Sequence, residues 1–239
     1  METTPPGKSA GREIVERTVE AALGSVPLVG NALAVAFVTA IGWRLEERRE
    51  KWFTELAEGV EELSLRVDGL DLDALAGDGR FTDAVVSATR TVEHAHQAEK
   101  IEALRNAVLN SALSGAPDAD TQAIMMNLVD RFTPSHLRLL ALWDNPPAWF
   151  TSNDIPQPSG ASSFGAVLPT SRTATIESGI PEFQGQKPLY MLIASELIAA
   201  GLMVEVNLGV SVTSRALMDR LTTDFGRQFL TFIRPPGGR

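Results

Sequence analysis

The longest uninterrupted apolar run in the chain is Ala21 to Trp43, AALGSVPLVGNALAVAFVTAIGW, and it contains no charged side chain. A helix rises about 1.5 Å per residue, so such a run reaches roughly 34 Å, enough for a bilayer core of about 30 Å. Pro27 lies inside it and fits best at a first helical position. Residues 28 to 43 alone reach only about 24 Å, short of a span. Two readings stay open at this stage: a buried or oligomer-facing helix, or a membrane-active segment. Leu28, Leu33, Phe37, Ile41 and Trp43 are the candidates for membrane contact or self-association. Gly24, Gly30, Ala32, Ala34, Ala36 and Ala40 allow close helix contact in either setting. Trp43 followed by Arg44 resembles an interfacial anchor.

Before the run, residues 1 to 11 are rich in Pro, Gly and Ser and predict a disordered tail, and Arg12 to Leu23 reads as an amphipathic helix. After it, the helix is expected to continue to about Val67. Ile41, Leu45, Trp52, Leu56, Leu63 and Val67 recur by fours and sevens, and predict one inward face. Charges between them can pair at helical neighbours, Glu47 with Lys51 and Glu46 with Arg49. Such a helix reads either as a stalk or membrane-surface switch, or as an amphipathic helix with a solvated face.

Asp68-Gly69 signals a turn, and LDLDALAGDG reads as a short acidic helix and turn without the spacing of a calcium loop. Arg80 to Leu113 predicts one long helix whose face is Phe81, Val85, Ala88, Val92, Ala95, Leu104, Val108 and Leu109, ended by Ser114-Gly115 and Pro117. Asp118 or Asp120 caps a helix to about Arg131 with Ile124, Met125, Leu128 and Val129 inward. Thr133-Pro134 starts another, running to Trp143, and Asn145-Pro146-Pro147 stops it. Residues 151 to 186 read as a long inserted loop, a candidate partner-binding flap. Residues 188 to 200 predict an apolar helix ended by Gly201, LMVEV and LGVSV predict short strands, and DFGRQFLTFI a last helix before a frayed Pro-Gly tail.

Composition narrows the chemistry. The chain has 239 residues, a net charge of −9 and no cysteine. The acidic balance disfavours broad nucleic-acid binding, which needs clustered cations, and thiolate or cysteine–metal chemistry is excluded. His94 and His96 stand two apart, the wrong spacing for two ligands on one helical face, and His136 is distant. Ser162, Ser163 and Ser171 have no G-x-S-x-G elbow and no histidine downstream. No catalytic, metal-binding or cofactor-binding set can be assembled, so the chain reads as a non-enzyme. Two prolines and mixed charges before the apolar run do not make a secretory signal. The expected location is the cytoplasm, with the inner face of the cell membrane if residues 21–43 insert.

The order of elements near the end carries a resemblance. A helix at 134–143, an apolar helix ending in AAGLM, a short strand pair and RLTTDFGRQFLTFI resemble a winged-helix domain: Leu202 and Met203 match its post-helix turn, and Leu221, Thr222, Gly226 and Phe229 nearly match its closing segment. Together with the charged helix, ALRNAVLNSAL (103–113) and FTPSHLRLLALWDNP (132–146), this order is similar to the bacterial Abi-alpha family of abortive-infection, phage-defence proteins over roughly 40 to 235. The family implies a helical protein with a winged-helix-like end and supplies no catalytic residues. The expected fold is mainly α: a helical hairpin or bundle over 12–116, then a small α+β winged-helix-like domain over 117–239. The expected function is a non-enzymatic defence or toxin-like protein that forms a homo-oligomer and acts on a membrane through 21–43. The alternative is a soluble module whose C-terminal domain binds a protein partner, with Lys187, Tyr190 and Glu196 as candidate contacts. Nucleic acid is disfavoured there because helix 188–200 carries only Glu196 as a charge, with Lys187 just ahead.

Overall fold

Short polar side chains set where the helices begin. In a computed structural model that describes residues 31–67, 70–158, 170–213 and 215–237, the Asp78 carboxylate accepts from the Arg80 N–H, Asp118 from those of Asp120 and Thr121, and the Thr223 hydroxyl from that of Gly226. Each satisfies backbone donors that the first helical turn leaves open. The described residues are mainly helical, with ten α-helices and two short strands. The predicted tail, the helix at 12–23, Leu28, the Asp68-Gly69 turn and Ser162-Ser163 lie outside the described residues, as does the side chain of Leu33.

The helices are α1 (Asn31–Arg66), α2 (Leu72–Gly77), α3 (Gly79–His94), α4 (Ala98–Ser111), α5 (Ala119–Arg131), α6 (Pro134–Asp144) and α7 (Pro146–Ser152). After them come α8 (Arg172–Gly179), α9 (Lys187–Ala199) and α10 (Asp224–Ile233). The chain divides into two units, Met1–Lys51 and Trp52–Arg239. In the first, the described residues belong to α1. In the second, α4 is the hub: it packs against α3, α5 and α10, while α6 packs against α9. Trp52, Leu104, Val108, Val129, Leu139, Trp143 and Phe229 are among the buried side chains of its core.

Several expectations change. The predicted helix 80–113 is two helices, broken at Ala95–Gln97, where Ala95 and Gln97 are extended. The break lets α3 bury Ala84, Ala88 and Val92 while α4 turns Ala103, Leu104, Ala107 and Val108 into the same core. Ile124 is exposed; α5 instead buries Met126 and Gln122, whose Nε2 donates to the Arg80 carbonyl at 2.8 Å. Asn145-Pro146-Pro147 ends α6 but also starts α7, because the Asn145 side chain caps it through the Ala148 N–H and proline fits a first turn. The stretch expected to be a loop over 151–186 contains α8, which buries Thr175, Ile176 and Gly179, and a 3₁₀ turn at Pro181–Phe183. Ile41 and Leu45, expected on the inward face of α1, are exposed, whereas Trp52, Leu56 and Leu63 are buried as expected.

The strands are shorter than predicted. β1 (Thr170–Ser171) pairs antiparallel with β2 (Ser211–Val212), Thr170 opposite Val212 and Ser171 opposite Ser211. LMVEV supplies only a bridge, Met203 to Thr222, extended by Val204 N–H to Leu221 O at 2.8 Å and Thr223 N–H to Leu202 O at 3.0 Å. Gly201, at φ +73°, ends α9 in the left-handed region that favours glycine.

Candidate functional site

The first unit offers an apolar surface. Phe37, Ile41 and Trp43 are 65%, 46% and 71% exposed, and Val38 and Leu45 are exposed with them. A helix turns about 100° per residue, so Phe37, Ile41 and Leu45 follow one another at steps of about 40°, with Val38 at the far edge. They form one stripe about 100° wide. Trp43 does not belong to it: it lies about 120° to the other side of Phe37. Sequence reasoning grouped Phe37, Ile41 and Trp43, and the helix separates the third from the first two. No helix among the described residues is long and apolar enough to cross a membrane.

The second unit carries a cleft of about 540 Å³ between α4, α6, the end of α7 and the end of α10. Leu137, Trp149, Ile180 and Leu230 give it apolar walls. Arg138 lies across it, bonded to Glu182 at 3.2 Å and also to Glu99. The Trp149 indole N–H donates to the Gly179 carbonyl at 2.8 Å, fixing one wall to the end of α8. This arrangement is a charge-paired apolar groove. Its lining holds the carboxylates Glu99, Glu102 and Glu182 and no histidine or hydroxyl side chain.

Among the residues singled out on α9, Lys187 is exposed at the N-terminal end and Glu196 is partly exposed. Tyr190 is fully buried, so it is a core residue in this conformation and not a contact for a partner. Its hydroxyl donates to Glu177 on α8 at 2.9 Å. Burial first, and then the Glu177 carboxylate, push the phenol pKa up to about 12.

Glu196 makes a contact that sequence reasoning did not assign. Its Oε2 lies 3.0 Å from His136 Nε2, 60 residues away in sequence. His136 Nδ1 faces the Thr133 backbone N–H at 3.3 Å and the Thr133 hydroxyl at 2.9 Å, closing a capping box at the start of α6. With Nδ1 as acceptor, Nε2 carries the hydrogen and donates to Glu196. Burial lowers the imidazole pKa below its usual value, and Glu196 opposes that shift. The signal present in the sequence was Glu196 itself, the sole acidic residue in an apolar helix. Nearby, Lys100 is buried and donates to the Asp130 carbonyl; burial lowers its pKa and the Asp130 charge opposes this.

His94 pairs with Asp130 at 3.1 Å, and Ser171 hydrogen-bonds Thr173. Among the described residues, no group of three or more His, Asp or Glu side chains is placed to hold a metal ion. In comparison with known proteins, the chain matches no protein-family model, no curated protein and no solved structure.

Proposed function

We propose that this chain is a non-catalytic protein that works by attaching to a lipid surface through its N-terminal helix, in a bacterial defence or toxin-like role of the kind its resemblance to the Abi-alpha family implies. The observation that carries the reading is the exposed stripe Phe37–Ile41–Leu45 with Val38 at its edge. Scattered apolar residues on a surface need no explanation, but a contiguous stripe that begins within a charge-free run supports a contact surface. Self-association through the same helix is compatible with this role, because a stripe of this width also fits a helix partner.

The test is fractionation of expressing cells, with and without deletion of residues 21–43. The full chain is expected in the membrane fraction and the deleted chain in the supernatant. A wholly soluble full chain, with toxicity or protection unchanged by the deletion, sinks the reading.

A second reading rests on the other unit. It takes residues 117–239 as a winged-helix-like module that binds a protein partner, and it is supported by the helix order α6, α8, α9 and the single Met203–Thr222 bridge. The exposed face of α9 shows Leu189 and Leu192, and Val204 and Val210 after it are exposed too. Apolar groups at those places favour a protein partner over a phosphate backbone. A salt-dependent gel shift with duplex DNA would refute that preference.

A further inference from the structure

We infer that the cleft of the second unit binds a small amphipathic organic cation, with an ammonium or guanidinium N–H group held by Glu102 and Asn106 and an apolar body against Leu137, Trp149 and Leu230. The inference is independent of the lipid reading, which concerns the α1 stripe. It rests on which polar groups of the cleft are already engaged and which are not.

Both guanidinium groups in the lining are committed. Arg138 bonds Glu182 at 3.2 Å and also Glu99, and Arg234 bonds Asp144 at 3.3 Å. The Glu102 side chain, by contrast, has no hydrogen-bond or ion-pair partner among the described residues. One helical turn further along α4 stands Asn106, 3% exposed and yet part of the lining. Its Nδ2 donates to the Ile233 carbonyl at 3.1 Å, which identifies the other amide atom as the carbonyl oxygen. That Oδ1 accepts no hydrogen bond among the described residues. It is also not among the side-chain atoms sealed from solvent without a partner, so its lone pairs open onto the cleft. Residues four apart on a helix have Cβ atoms about 5–6 Å apart. Glu102 and Asn106 therefore form a two-point acceptor on one face of α4, and an ammonium has three donors with which to meet it.

The surroundings favour positive charge. Three carboxylates, Glu99, Glu102 and Glu182, line the cleft against two guanidinium groups. The C-terminal ends of α8 and α10, at Gly179 and Ile233, are in the lining too, and helix C-termini favour cations. An anion would meet arginines already neutralised and a free carboxylate. The volume of about 540 Å³ lies within the roughly 300–1,000 Å³ typical of small-ligand sites, whereas a stable protein interface takes roughly 800 Å² from each partner.

The test uses dansylcadaverine, a primary amine on an apolar fluorescent body, added to the full chain without lipid. Its emission is expected to rise saturably. The N-acetylated probe, which is neutral, and the dansyl derivative of 6-aminohexanoic acid, which is anionic, are expected to bind at least about tenfold more weakly. Glu102→Gln, a change at an exposed position, is expected to weaken the amine about tenfold and to leave the neutral probe unchanged. Phe37→Ser/Ile41→Ser is expected to change neither, which separates the cleft from the α1 stripe. Thermal midpoints check that the fold of both variants is kept. Equal binding of the three probes, or tighter binding of the acid, overturns the inference, as does amine binding that Glu102→Gln leaves unchanged. Binding lost in Phe37→Ser/Ile41→Ser assigns the probe to the stripe and overturns it. Absence of saturable amine binding overturns it as well, and leaves the lipid reading to its own fractionation test.

Discussion

His136 on α6 donates from Nε2 to the Glu196 carboxylate on α9 at 3.0 Å, while its other ring nitrogen accepts from Thr133. One side chain thus caps the helix that carries it and ties that helix to another. Phe132 stacks on the ring with centroids 4.9 Å apart, which leaves the imidazole little room to turn.

The ring should make stability depend on pH. Burial is the main cause of its lowered pKa, with Arg131 and Lys100 adding to it and Glu196 opposing it. The folded pKa lies below the unfolded one, so between the two values the unfolded chain binds more protons. Stability then rises with pH through that window and is lost as pH falls below about 6.5. Protonation also turns Nδ1 from an acceptor into a donor facing the Thr133 N–H. Urea midpoints measured from pH 7.5 down to pH 5 should fall, and His136→Gln should flatten that part of the profile.

Asn106 and Asn110 on α4 close the end of α10. Asn106 Nδ2 donates to the Ile233 carbonyl at 3.1 Å, and Asn110 Nδ2 to the Phe232 and Arg234 carbonyls, each at 2.8 Å. The last turn of a helix leaves such carbonyls without partners, and Asn106 is buried. Asn106→Ala should therefore cost about 1–3 kcal/mol, measured by chemical denaturation. Asn110, more exposed, should cost less.

Gly226 brings α10 close against the turn after α9. A Cβ there would meet the Leu202 carbonyl oxygen at 2.1 Å, a backbone atom that cannot step aside alone. Gly226→Ala should destabilise by about 1–3 kcal/mol or more through forced backbone movement. Gly115→Ala, with nothing within 4 Å of the added methyl, is the control and should leave the thermal midpoint nearly unchanged.

Trp52 is buried and its indole N–H donates to the Thr89 hydroxyl at 3.0 Å. Trp52→Ala should cost about 3–5 kcal/mol. Phe37→Ser, an exposed position on the same helix, should stay within about 0.5 kcal/mol of the parent. Denaturation of the two variants side by side separates the structural part of α1 from its surface part.

Helix starts were the most legible feature of the sequence, because a cap is a local device. Asp118, Thr133 with Pro134, and the DFGRQFLTFI helix all behave as their residue types predict. The break at Ala95–Gln97 was legible too, though in the phase of the pattern and not in any turn residue. On one helix turning about 100° per residue, Phe81, Val85, Ala88, Val92 and Ala95 share one side, and Leu104 and Val108 fall roughly opposite. Only a break brings both sets into a single core. What could not be read was non-local. Nothing adjacent to His136 announces Glu196, and the polar, Gly-rich surroundings of residues 172–179 concealed a helix held by burial of Ile176 and Thr175. The exposure of Ile41 and Leu45 was illegible for the same reason: periodicity identifies a face but not what, if anything, covers it.

The amides of Asn106 and Asn110 reach carbonyls more than 120 residues further along the chain. While the protein is being synthesised, α4 emerges early, with its apolar face ready and its closing partner still unmade. The face of α4 that carries Asn106 and Asn110 stays open until residues 224–234 have left the ribosome, so a nascent chain arrested before them would present that face to whatever chaperone is at hand.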